Sequence, residues 1–239
     1  MLKPNEGKAL YREVDGKNYA RYAIKTHFIT LGEDLDKIIE EYVIPHYQKG
    51  DIITLSEKIV ALSQGDIIYK KDVKVTWLAK LLSKFVVKNQ HCTGLRNVYK
   101  MQVAINIVGP VKILFAAIIA AIGKIFRIKG IFYKIIGNGI SNLDGFNDEA
   151  YDYYADKGIF APKNPERVCQ RIKEKYDIDS MIVDANDLGV EILAFNKEIQ
   201  DKGELVRKLL KDNPAGQDRE QTPIILIREY AHREVSTSA

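Results

Sequence analysis

Three stretches of this chain place acidic and amide side chains where an apolar run or a glycine turn ends. They are Asn142-Leu143-Asp144-Gly145, Asp184-Ala185-Asn186-Asp187, and the loop from Asp212 to Gln221, which holds Asn213, Gln217 and Glu220. Hard cations such as Mg2+ and Mn2+ take carboxylate and carbonyl oxygens and keep water and substrate phosphate as further ligands. Convergence of two or three of these stretches would make such a site, with Asp144, Asp184, Asp187 and Glu220 as metal ligands. Taken singly, each is also an ordinary turn, because Asp and Asn side chains satisfy turn backbones. Asp212 in particular reads as a turn former.

A fourth stretch concerns phosphate. The apolar run Ile52 to Leu55 is followed by Ser56-Glu57-Lys58, which opens a helix to Gln64 that Gly65 stops. Side chains and free amide N–H groups at the C-terminal end of a strand are where α/β proteins usually hold ligands. Ser56 and Lys58 are therefore candidate contacts to a nucleotide, and Lys124, Arg127 and Lys129 are further candidates for its phosphates.

The net charge of +4 conceals a segregation. From Val73 to Leu143 there is no Asp or Glu but eleven Lys or Arg; the rest of the chain, with 25 basic and 32 acidic residues, is at −7. A long acid-free block implies an anionic partner, whether nucleotide phosphates, a phosphorylated small molecule, nucleic acid or a lipid headgroup. The reading carried forward is a nucleotide with a phosphorylated or carboxylate small-molecule acceptor, and no nucleic acid. Any one of these lysines alone is an ordinary solvated side chain.

Several classes drop out. The chain has no GxxxxGK[ST], GxGxxG or GxSxG motif. Cys92 and Cys169 lack metal or redox spacing, which suits a reducing compartment. His27, His46, His91 and His232 show neither metal spacing nor an evident nucleophile partner, so histidine acid–base catalysis is not expected. The N-terminus carries no apolar signal region, and a cytoplasmic location is expected. Val108 to Phe126 has about the length of a bilayer span, yet it contains Gly109, Pro110, Lys112 and Lys124. A buried helix, a dimer interface or peripheral membrane contact all fit it.

These residues must be positioned by a mixed α+β (α/β) fold. The first 19 residues read as an irregular lead-in, Tyr19 to Thr30 as a strand and Glu33 to Gln48 as a helix. Further helices are expected over Thr76–Val87, Val98–Val108, Pro110–Ile125, from Asn164-Pro165-Glu166 to Tyr176, and over Leu205–Leu210. Strands are expected at Met181–Asp184, Val190–Phe195 and Ile224–Ile227, and Asn147 to Gly158 as a surface loop or lid. Residues 1–230 read as one unit, divisible into two intimate subdomains (20–107 with 205–230, and 108–204), and residues 231–239 as a disordered tail.

The same stretches carry a family likeness. Gly50-Asp-Ile-Ile-Thr-Leu-Ser-Glu-Lys-Ile-Val-Ala-Leu-Ser-Gln-Gly65 resembles the early motif of the γ-glutamyl (L-glutamate) ligases of the deazaflavin coenzyme F420. Gly139-Ile-Ser-Asn-Leu-Asp144 is similar to their Gly-Ile-Asp turn, Ile182-Val-Asp-Ala-Asn186 to their Asp-Thr-Asn strand end, and Pro214 to Arg228 to their late loop and strand. The resemblance implies an α+β fold built as an intertwined homodimer. It also implies GTP- and Mg2+- or Mn2+-dependent ligation, in which a carboxylate becomes an acyl phosphate that the amine of L-glutamate attacks. On this reading Lys58, Asp184 and Glu220 are the catalytic residues, Asn186, Asn213 and Gln217 contact the nucleotide, and ATP is the alternative co-substrate. The chain departs from the pattern at Ser141, with Asp144 as the replacement ligand, at Ala185, and in a late loop offering Gln217 and Glu220. A non-catalytic nucleotide-binding homologue and a basic membrane-surface protein are the competing functions.

Overall fold

The computed structural model describes residues 2–86, 94–128, 130–137, 143–146, 152–186, 189–216 and 219–230. Lys129, Ser141, Asn142, Asp187, Gln217 and the tail after Tyr230 lie outside the described residues. In chain order the elements are β1 Tyr11–Val14, β2 Lys17–Ile24, α1 Leu35–Ile38 leading into a π-helical turn Ile39–Val43, β3 Ile52–Ser56, α2 Glu57–Gln64 and β4 Ile67–Tyr69. There follow α3 Trp77–Phe85, α4 Val98–Val108, α5 Pro110–Ile125, α6 Ile131–Ile136, β5 Asp144–Gly145 and β6 Lys157–Ile159. The chain closes with α7 Pro165–Tyr176, β7 Asp179–Asn186, β8 Gly189–Phe195, α8 Gly203–Leu210 and β9 Ile224–Tyr230. These elements fall into two compact units, one formed by Met1–Gly65 with Pro162–Ala239 and the other by Asp66–Ala161. The protein is α+β with a mixed sheet.

The discontinuous unit is built on a six-stranded sheet in the order β1-β2-β9-β3-β7-β8. Its one parallel pair is β3 with β7; the other neighbours run antiparallel. Alternation along the strands sends side chains to two covered faces, so central strands read as near-continuous apolar runs. Ile24, Ile53, Leu55, Ile182, Ile224 and Leu226 pack with Ile38, Ile39, Ile59, Val60, Cys169 and Ile172 from α1, the π turn, α2 and α7. Ala23, Ile52, Met181, Val183, Ile225 and Ile227 pack on the other face with Val206, Leu209 and Leu210 of α8.

The 66–161 unit pairs β4, β6 and β5 in a small antiparallel sheet. Its helices close on Ala79, Leu82, Met101, Ala104, Ile113 and Ala116. Gly109, at φ +88°, ends α4 and Pro110 starts α5, and the two helix axes bend by 115°.

Three local readings change. The first residues are not irregular: β1 and β2 form a hairpin around Asp15-Gly16, both at positive φ (51° and 77°), as a tight two-residue turn requires. The helix after Glu33 is shorter and broken. Asp34 caps α1 by accepting from the Asp36 N–H, the π turn closes with Ile44 N–H on Ile39 O at 3.0 Å, and Pro45 has no N–H to continue it. Within Asn147 to Gly158, the described residues form a 3-10 turn at Asp152–Tyr154 and the start of β6.

One charge deep in the larger unit organises its N-terminal side. Arg21, 1% exposed, donates to both oxygens of Asp212, to Leu209 O and to Ala9 O. Arg12 adds a 2.6 Å bond to Asp212, and Lys8 donates to the Asp212 backbone oxygen at 2.6 Å. Burial alone would push the Asp212 carboxyl up, but the hydrogen bond and charge of Arg21, with Arg12 behind it, hold it below the ordinary carboxylate range. A carboxyl whose folded-state pKa is lowered contributes stability that is present above its unfolded value and lost as pH falls through the folded one. Asp212→Ala is expected to destabilise the protein toward the lower end of the about 3–5 kcal/mol for breaking a buried pair. The lower end applies because the carboxylate is 38% exposed and partly screened. Urea denaturation across pH should show the deficit at neutral pH and its disappearance below about pH 4.

Candidate functional site

The parallel pairing of β3 with β7 brings their C-terminal ends to the same end of the sheet. Ser56 is opposite Val183, and Leu55 is opposite Ile224 at the start of β9. The Ser56 N–H donates to Pro223 O at 2.8 Å and the Thr26 N–H to Gln221 O at 2.9 Å. The ends of β2, β3 and β7 therefore meet the loop that enters β9, which gathers Ser56, Lys58, Asp184, Asn186 and Glu220 at one sheet end.

Asp184 and Asn186 continue the strand face that Ile182 occupies, which α2 covers through Ile59 and Val60. Across the ladder, Glu191 is directly opposite Asp184. Ser56 leads into α2 in an extended conformation (φ −60°, ψ 135°), and its side chain makes no capping bond to the helix. The first-turn N–H groups of α2, with their partial positive charge, sit next to this end of the sheet.

The β9 loop is held by its own buried amide. Asn213 is fully buried at φ +48°, its Nδ2 donates to Gly216 O at 3.0 Å, and its Oδ1 has no partner among the described residues. It acts as the brace of the loop. Asn5 Nδ2 donates to Pro214 O and Thr222 Oγ1, and Thr222 Oγ1 donates to Ala215 O. Gly216 takes φ +76°, and a Cβ there would lie 2.4 Å from Cδ of Glu220. The glycine lets the Glu220 carboxylate lie directly against the loop backbone.

His27, set aside in the sequence reading, has company in the fold. It follows Thr26 at the same sheet end, with Nε2 2.5 Å from Glu33 Oε2 and Nδ1 2.8 Å from the Tyr42 hydroxyl. Burial raises the Glu33 carboxyl, but the bonds it accepts from Thr30 N–H and Oγ1 and from His27 bring it below its ordinary value. No local pattern reveals this array, because its three members are joined only by the chain's path after β2.

In the 66–161 unit, Asp144 begins β5 and its Oδ1 accepts the Gly145 N–H at 2.7 Å. Lys100, its side chain only 3% exposed, has Nζ 3.9 Å from that oxygen. Asn97 caps α4 by accepting from Tyr99 N–H and Lys100 N–H, and its Nδ2 donates to Phe146 O at 2.9 Å, fastening the 143–146 segment. Lys100 was indistinguishable in sequence from the other lysines of the acid-free block. Lys124 and Arg127 are exposed at the C-terminal end of α5. Among the described residues no three His, Cys, Asp or Glu side chains gather into a ready metal cage.

The class defined so far is a mixed-sheet α+β protein whose oxygen-bearing side chains and a lysine stand where strands end. The profile of the F420-0:Gamma-glutamyl ligase family matches residues 23–186, well over half of the chain, and the chain belongs to that family. The match takes in Ser56, Lys58, Asp144, Asp184 and Asn186 and stops before the loop that carries Glu220. No curated protein matches the chain. No single helix among the described residues is long and apolar enough to cross a membrane.

Gly145 tests how tightly Asp144 is placed. It stands at φ +83°, and a Cβ there would come 2.0 Å from Lys157 O. Gly145→Ala is expected to cost about 1–3 kcal/mol from backbone strain alone, with the clash in addition. A melting temperature within 1 °C of wild type (roughly the resolution of such a scan) would show that the β5–β6 contact is looser than described.

Proposed function

We propose that this member of a γ-glutamyl ligase family joins the amine of glutamate, or of another amino acid, to an acceptor carboxylate at the expense of GTP or ATP, with Mg2+ or Mn2+. The supporting observation is the meeting of Ser56, Lys58, Asp184, Asn186 and Glu220 at one end of the six-stranded sheet, set by the β3–β7 register. The oxygen donors are of the kind hard cations take. A bound Mg2+ or Mn2+, held by Asp184, Asn186 and Glu220, would neutralise charge on the nucleotide's terminal phosphates.

The chain's own groups have distinct tasks. Lys58 and the first-turn N–H groups of α2 stabilise charge on the phosphoryl group as it transfers. An oxygen of the acceptor carboxylate attacks the γ-phosphorus and the nucleoside diphosphate leaves, giving an acyl phosphate. The amine then attacks the acyl carbon, the amide forms, inorganic phosphate departs and the nitrogen loses a proton. That proton leaves to solvent, and His27, with both ring nitrogens engaged by Glu33 and Tyr42, helps to shape this sheet end.

Two measurements test the assignment. Asp184→Ala should weaken Mn2+ binding about 10-fold or more by calorimetry with an unchanged circular dichroism spectrum; unchanged affinity would remove Asp184 from the site. Lys58→Met should weaken a fluorescent GTP analogue roughly 10-fold or more, while the adjacent Glu57→Gln stays near wild type. Equal behaviour of the two variants would make the early motif structural. Nucleotide binding without phosphate release in the presence of glutamate and candidate acceptors would favour the non-catalytic homologue.

A further inference from the structure

The 66–161 unit leaves apolar surface uncovered in a regular pattern. On α5, Val111, Phe115, Ile118, Ile122 and Ile125 recur at alternating spacings of four and three, and their exposures run from 47% to 82%. The opposite stripe, Ile113, Ala116 and Gly123, is buried. On α3, Trp77 (74%) and Phe85 (75%) are exposed with Leu81 between them, and Phe126 and Ile128 extend the exposed surface beyond α5. Exposed apolar stripes of this kind mark an interaction site.

Charge decides the partner. The exposed stripes are flanked by Lys80, Lys84, Lys112, Lys124 and Arg127, all exposed, within the run from Val73 to Leu143 that has eleven basic residues and no acid. A second copy docking the same face against itself would set these lysines against their own mates, with no carboxylate in the run to answer them. Apolar and aromatic side chains edged by lysines, with no counter-charge, complement a bilayer whose acyl region takes the rings and whose anionic headgroups take the ammonium groups. With 16 residues, α5 spans about 24 Å, short of the about 30 Å hydrocarbon core, so it suits lying in the interface and not crossing.

We infer that this unit docks the protein peripherally on an anionic phospholipid surface, with the exposed face of α5 seated at the headgroup boundary. The docking stands apart from the ligase reading and needs no turnover. The test is co-sedimentation of the full chain with vesicles of phosphatidylcholine containing 30% phosphatidylglycerol (roughly the charge of an anionic leaflet), compared with phosphatidylcholine alone. Binding to the anionic vesicles that weakens with salt is expected, and Trp77, the chain's single tryptophan, provides a fluorescence readout on α3. Phe115→Glu with Ile118→Glu should abolish binding while leaving the melting temperature unchanged, since both positions are exposed. Lys80→Glu and Lys112→Glu should each weaken binding about fivefold. Failure to bind anionic vesicles would overturn the inference. So would a concentration-dependent dimer in sedimentation that the same Phe115/Ile118 change dissolves, because the face would then belong to a second copy.

Discussion

A guanidinium cannot be taken out of water without a partner, and in the larger unit that requirement falls on Arg21 and Asp212. Meeting it draws together segments far apart in the chain: the backbone at Ala9, strand β2, the C-terminal turn of α8 and the first residue of the β9 loop. The loop then has few choices. Asn213 bends it through the left-handed region, Gly216 continues the bend, and Thr222 delivers it to β9. Glu220 lies in this same loop, its carboxylate against Gly216. Asp212 thus serves as the anchor of a candidate site without being a ligand in it.

The placement of the other site residues follows from a single exception in an otherwise antiparallel sheet. Had β7 run against β3, Asp184 and Ser56 would stand at opposite ends. Running parallel, both strands release their polar residues together, and the antiparallel β9 begins where they finish. Strand direction therefore brings two motifs that are far apart in the chain to one end of the sheet.

Elements with punctuation were legible in the sequence. Gly65 closing α2, Gly109-Pro110 dividing α4 from α5 and Asn164-Pro165 opening α7 all stand where residue type alone puts them. The β1–β2 hairpin was missed although Asp15-Gly16 is a strong turn signal, because the polar residues around it mask the alternation. The helix after Glu33 was drawn too long because a π turn has no sequence pattern of its own. For the site, residue types were readable but company was not. Nothing local pairs β3 with β7 across more than a hundred residues, joins His27 to Glu33 and Tyr42, or distinguishes the buried Lys100 from its solvated neighbours. The likeness to the ligase family marked the motifs, but all three of these relations became visible only in three dimensions.

The interruption of the larger unit by the smaller one imposes an order on synthesis. Residues 66–161 are continuous in the chain and form one of the two compact units. The six-stranded sheet is different: β3 waits for β7, and β2 waits for β9, so its centre stays open until Tyr230 has been made. Over that interval the hairpin, α1 and α2 exist without the strands that cover them. The end of the sheet where β3 and β7 release their polar residues therefore comes together only after the whole 66–161 segment has been made.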